Sequence, residues 1–193
     1  MATGGRVMAG KGGTAHGWLH RFWLARLSRP AGERIIHRHV LRHGPARILE
    51  LGLGRLVRTE RMLRATAGRG AGPGQPVHYV GLDRFEGRLA SDPPGVSLKE
   101  AHRRLHGLAR VQLVPGNADS ALARTCNHLG TFDLVLVSAD NDQRHLERCW
   151  GFLVRLARAD TTVFVESSGG SWTVLERQRL EALAGRVPMR RAG

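Results

Sequence analysis

The sequence predicts an α/β protein with a Rossmann-like parallel sheet of about five strands, helices on both faces and an N-terminal helical extension. Three observations carry this. Five short apolar runs read as strands. The segments between them place apolar residues at helical spacing, so strand and helix alternate. The first run, Ile48-Leu49-Glu50-Leu51, ends in two glycines one residue apart, Gly52 and Gly54, with a helix-like segment directly after.

In chain order, residues 1–16 form a basic tail without periodicity and are expected to be disordered. Residues 17–44 form a helical extension or cap. Its first helix runs from Trp18 to Leu27, with Leu19, Phe22, Trp23 and Leu27 on one face, and Pro30 ends it. Its second runs from Glu33 to His43, with Ile36 and Val40 four apart. The pair packs on the domain, covers a ligand pocket or lies on a membrane surface. The main domain, 45–193, alternates Ala46–Leu51 (strand), Val57–Ala67 (helix), the loop Gly68–Pro76, Val77–Leu82 (strand) and Ser97–Leu108 (helix). Ser97 and Glu100 give that last helix a capping-box signature. Arg110–Val114 (strand), Ala118–Leu129 (helix), Phe132–Val137 (strand), Gln143–Ala157 (helix), Thr161–Glu166 (strand) and Ser171–Ala184 (helix) follow. Right-handed crossovers place a ligand at the carboxyl ends of the strands, near the switch point of the sheet.

The 193 residues suffice for one domain with a sizeable core, and the apolar content of 41% is that of a globular protein. There is no apolar run of about 18 residues, hence no expected membrane span, and no secretory signal. Cys126 and Cys149 fall in separate helices without metal spacing, which suits buried thiols in a reducing cytoplasm. The net charge is +14, and of the 30 Lys and Arg only Lys11 and Lys99 are lysines. Residues 1–49 hold nine of these bases against one acid, Glu33. A basic arm suits nucleic acid or anionic lipid. However, an arginine bias with many Gly and Ala also follows from a GC-rich coding sequence, and no RNA-binding motif is present, so nucleic acid is disfavoured.

A carboxylate ahead of the glycine turn repels a pyrophosphate and so disfavours a dinucleotide. It suits a ligand with an ammonium group and an adenosine tail, such as S-adenosylmethionine. A strand-end acid, Asp83, is placed to accept both hydroxyls of a ribose. Asn117 can offer a carbonyl to an adenine amino group or cap the helix it precedes, and the two roles are compatible.

The ordered set Glu50-Leu51-Gly52-Leu53-Gly54, Gly81-Leu82-Asp83-Arg84-Phe85, Pro115-Gly116-Asn117-Ala118 and Phe132 through Asp140 resembles the class I S-adenosylmethionine-dependent methyltransferases over residues 46–184. The small-molecule O-methyltransferase-like branch is the nearest in pattern. The resemblance implies a cofactor-binding set of Glu50, Gly52, Gly54, Asp83, Arg84, Asn117, Ala118, Ser138 and Asp140. In it Glu50 helps hold the ammonium group, directly or through water, and Ser138 to Asp140 line the sulfonium and acceptor region. Asp140, Asp142 and His145 are the candidates for removing a proton from the acceptor. Asp142 otherwise caps a helix, and His145 otherwise sits on its solvent face.

Three departures shape the expectations. Leu56 stands where many relatives have a small residue, and either narrows the cofactor seat or turns into the core. Ser138 replaces an acid of the metal-dependent members and is a poor ligand for a hard cation, so no metal is expected. Glu166 is one isolated carboxylate. Two further strands usual in the family do not fit after the last helix. The domain is then abridged, or strand five is covered by the N-terminal helices or by a second subunit in a homodimer. Histidine pairs at His39/His43 and His102/His106 lack a metal-site pattern. The expected function is a cytoplasmic methyltransferase for a small-molecule acceptor. The alternative is a catalytically inactive binding or assembly protein of the same fold.

Overall fold

The computed structural model describes residue 19 and residues 22–66 and 74–186. The expected tail over 1–16 and most of the loop after the first domain helix lie outside the described residues.

The elements are α1 (Arg34–His43), β1 (Arg47–Leu51), α2 (Val57–Ala65), β2 (His78–Asp83), α3 (Leu98–Leu105), β3 (Arg110–Pro115), α4 (Ala118–Leu129), β4 (Phe132–Val137), α5 (Gln143–Leu156), β5 (Ala157–Glu166), β6 (Trp172–Leu175) and α6 (Arg177–Gly185). They form one six-stranded sheet in the order β3-β2-β1-β4-β5-β6. All pairings are parallel except β5 with β6. The order reverses between β1 and β4, which opens a crevice at their carboxyl ends.

Side chains alternate across each strand, so the parity of a residue decides which helices cover it. Leu49, Leu51, Val80, Leu82, Val135 and Val137 face α4, α5 and α6. Ile48, Tyr79, Leu134, Leu136 and Phe164 face α1, α2 and α3. Both faces are covered, which is why the strands read as nearly continuous apolar runs. Glu50 shares the parity of Ile48 and therefore points under α2.

Local signals set the helix ends. Gly44 closes α1 with a left-handed φ of 58°, its N–H bonded to the Val40 carbonyl. Ser97 Oγ accepts the Glu100 N–H and starts α3, while the Glu100 carboxylate pairs with Arg103 instead of completing a capping box. Asp142 caps α5 by accepting the Arg144 N–H at 2.7 Å.

The main difference from the sequence reading lies after β5. Ser171–Ala184 is not one helix. Ser167–Gly170 turns tightly, with Gly170 at φ 76°, and Ser167 N–H bonds the Ser171 carbonyl. Trp172–Leu175 then pairs antiparallel with Val163–Glu166. The outer edge of β5 is thus covered by the chain's own β6, and neither the N-terminal helices nor a second subunit is needed there. Aromatic and β-branched residues just after a Gly-Gly turn suit a strand, and pairing with β5 decided for it over the helical pattern.

Candidate active site at the carboxyl ends of the strands

One cleft at the sheet's carboxyl end gathers residues from four strand ends. Gly52 follows β1, and Asp83 and Arg84 come at the end of β2. Asn117 and Ala118 open α4, and Asp140, Asp142 and His145 lie at and beyond the turn after β4. Eight residues singled out in the sequence therefore share it. Glu50, Gly54 and Ser138 do not line it.

Asp83 is the centre of this cleft. Its Oδ2 accepts the N–H of Leu53 at 2.7 Å and of Gly54 at 3.3 Å, and its Oδ1 accepts the N–H of Phe85 at 3.0 Å. It ties the end of β2 to the glycine turn after β1. Arg88 adds a two-pronged ion pair, Nε to Oδ1 at 3.0 Å and Nη2 to Oδ2 at 2.6 Å. Burial alone raises the pKa of this carboxyl group, but the Arg88 and backbone donors outweigh burial and hold it below the ordinary value. Arg84 turns aside to Asp92 at 2.9 Å.

The turn itself needs glycine. Gly52 has φ 83°, and a Cβ there would lie 2.7 Å from Asn141 Nδ2 and 3.0 Å from Ser138 Cβ. Gly54, at φ 55°, faces Asp140 Oδ2, which a Cβ would meet at 3.0 Å. Leu56 also has a positive φ, 66°, but its side chain is fully buried with Leu53, Met62 and Phe85 beneath α2. Of the two options in the sequence, it turns into the core and leaves the cleft clear.

Glu50 differs from expectation. It is fully buried, and its Oε1 accepts Arg58 Nε at 2.9 Å and Nη2 at 2.7 Å. Its Oε2 accepts Thr59 Oγ1 at 2.9 Å and Tyr79 Oη at 2.7 Å. Four donors fill the acceptor capacity of a carboxylate, leaving none for a ligand ammonium group. Gly81, in register beside Glu50, makes room for Tyr79, since a Cβ there would stand 3.0 Å from Tyr79 Oη. Arg58 also donates to the Gly52 carbonyl at 2.9 Å and lies 4.6 Å from the centre of the Trp172 ring. Burial lowers the Arg58 pKa, yet the attraction and hydrogen bonds of Glu50, with Glu166 and Glu33 nearby, more than reverse this. Glu50 therefore shapes the glycine turn from beneath, through Arg58.

Ser138 Oγ donates to Glu166 Oε2 at 2.7 Å, and the Ala139 N–H donates to the same oxygen at 3.1 Å. Glu166 thus fixes the turn after β4. Asn117 occupies the N-cap position of α4 but makes no side-chain capping bond. Burial pushes the pKa of the Asp140 carboxyl group up, and Arg88 opposes this. His145 Nδ1 lies 2.9 Å from Oδ1 of Asp119, an acid in the first turn of α4. Asp119, Arg58 and Arg88 escaped sequence reasoning. The arginine excess reads as compositional background, and the Arg58 and Asp119 partnerships depend on the packing of separate elements, whereas Arg88 reaches Asp83 from the loop five residues on. The one available signal was Arg58-Thr59 in the first turn of the helix after the glycines, where side chains point back toward the strand end.

No known protein-family description matches the chain, and no curated protein matches it by sequence. Solved structures do match. The chain is similar to the O-methyltransferase TomG from Streptomyces achromogenes, solved with S-adenosylmethionine, at 16% identity. The match covers 91% of this chain and 78% of TomG, with a TM-score of 0.53. It is similar to an O-methyltransferase from Bacillus cereus in complex with S-adenosylhomocysteine, at 17% identity over 87% of this chain and 75% of that one, TM-score 0.51. Against the much longer MycE methyltransferase it spans 34% of that protein's length, at TM-score 0.45. At identities this low the likeness shows the fold alone: the chain shares the Rossmann-like α/β fold of these solved O-methyltransferases.

Proposed function

We propose that this protein is an S-adenosylmethionine-dependent methyltransferase acting on a small-molecule acceptor. The observation that carries the reading is the position of Asp83. A strand-end carboxylate sits beside a side-chain-free turn and an uncapped helix start, within one cleft at the switch point. Asp83 would accept the ribose hydroxyls. Asn117 and the first N–H groups of α4 would meet the adenine edge, and Gly52 would let the amino-acid portion lie against backbone. Bound there, S-adenosylmethionine would supply an activated methyl group. The chain's own work is alignment and removal of the acceptor proton. Asp140 suits that second task best of the three candidates, because burial makes its carboxylate more basic than an ordinary one. Asp142 is engaged as a helix cap, and His145 is held by Asp119. No metal and no nucleic acid enter this reading. A reducing, cytoplasmic setting fits the two buried free thiols, Cys126 and Cys149. Among the described residues no helix is long and apolar enough to cross a membrane.

A second reading has a specific observation in its favour. Glu50 and Asp83 are each paired with an arginine, Arg58 and Arg88. A binding or assembly protein that kept the fold without turnover would look the same. Calorimetric titration of the full chain with S-adenosylhomocysteine separates the two. Saturable binding supports the enzyme. No heat at millimolar ligand, with the protein folded, removes it. Mass spectrometry of the denatured protein for co-purified cofactor gives an independent check.

A further inference from the structure

We propose that Arg88 is a displaceable latch on the adenosyl cleft, occupying the ribose seat on Asp83 until the ligand pushes it aside. The inference rests on the adenosyl reading of that cleft. Five donors converge on Asp83, three of them backbone N–H groups fixed by the glycine turn and the end of β2. With five donors already on its two oxygens, Asp83 has no free lone pair for two ribose hydroxyls, which can only take the two places held by Arg88. Arg88 is the one partner able to leave without breaking the turn. As it stands the cleft encloses about 20 Å³, close to the room one water needs.

The surroundings are built to seat this arginine. Its Nη1 donates to the Pro93 carbonyl at 2.7 Å, and only 11% of its side chain is exposed. Gly95 leaves the space the arm fills, since a Cβ there would fall 2.3 Å from Arg88 Nε. The segment is pinned apart from Arg88, by Arg84 on Asp92 and by the Leu98 N–H on Glu86. A cavity of about 300 Å³ borders Arg88 on the side of Pro93 and Pro94. The guanidinium can therefore swing from the cleft into this cavity while the segment keeps its anchors. An arginine that closes the seat nine times in ten lowers the apparent affinity about tenfold.

The test is calorimetric titration of S-adenosylhomocysteine into the full chain, compared with Arg88→Ala and Gly95→Ala. Both variants should tighten binding by about tenfold, the first by removing the latch and the second by crowding it off Asp83. Gly95→Ala keeps the arginine, so it decides the matter if Arg88→Ala fails to fold. Equal or weaker binding in the folded variants overturns the latch and leaves the adenosyl reading standing. Absence of binding in all three proteins sinks the adenosyl reading, and the latch with it.

Discussion

Replacing Arg58 by methionine tests how the cleft is supported. The substitution keeps most of the volume and removes the charge. Glu50, with no exposed surface, would then be left with only the two hydroxyl donors of Thr59 and Tyr79. Breaking a buried pair by removing one partner costs about 3–5 kcal/mol, because the other charge stays buried. The face of Trp172 also loses its cation, a contact worth about 1–2 kcal/mol when shielded from water. The remaining hydroxyl donors offset part of this, so a loss of about 4 kcal/mol is expected. With a urea slope of about 2 kcal/mol/M, the unfolding midpoint should fall by about 2 M, followed by tryptophan fluorescence. The double variant Glu50→Gln with Arg58→Met leaves no charge unpaired and should recover about half of the loss. An Arg58→Met protein within about 1 kcal/mol of the parent, or a double variant no better than the single, would refute the view that this pair underpins the turn.

Three further outcomes are expected. Gly52→Ala should lower stability by about 2 kcal/mol or more, since it forces a side chain into the left-handed region and against Asn141; an unchanged urea midpoint would contradict this. His39, stacked on His43 and set edge-on to Phe164, has its pKa pushed down to about 4, by burial first and by His43 second. The unfolded chain takes up that proton near pH 6.5, so stability should fall as pH drops from 6.5 to 4, and His39→Gln should flatten the fall in urea midpoints over that range. Burial, with Asp119 nearby, pushes the Cys149 thiol up to about 12. Iodoacetamide at pH 8 should leave it unmodified in the native protein and label it only in urea, as read by mass spectrometry.

The parts of the fold legible in the sequence are those whose cause is local. The helix Ala118–Leu129 and the strand Phe132–Val137 appear with the expected bounds, because a turn-forming Gly-Asn and an uninterrupted apolar run mark them. β6 was missed because four β-prone residues run straight into a helical pattern, and only the partner strand decides between them. The cleft was legible as a set of strand ends: Gly52, Asp83, Asn117 and Asp140 do meet. What the side chains do there was less legible. Rotamer and loop path decide charge pairing, so the motif positions of Glu50 and Asp83 do not reveal that each already has an arginine.

The last hairpin reaches further into the molecule than its rim position suggests. Three strand spacings, about 14 Å, separate β6 from β1, yet the indole of Trp172 rests on the guanidinium that holds the Gly52 carbonyl. The turn of the same hairpin touches Gly32, where a Cβ would meet the Gly170 carbonyl oxygen at 2.3 Å. A nascent chain that has emerged only as far as Ser171 carries every residue of the cleft but lacks the ring that braces its floor. The floor of the pocket is therefore complete only when the closing strand folds back beneath a glycine turn encoded more than a hundred residues earlier.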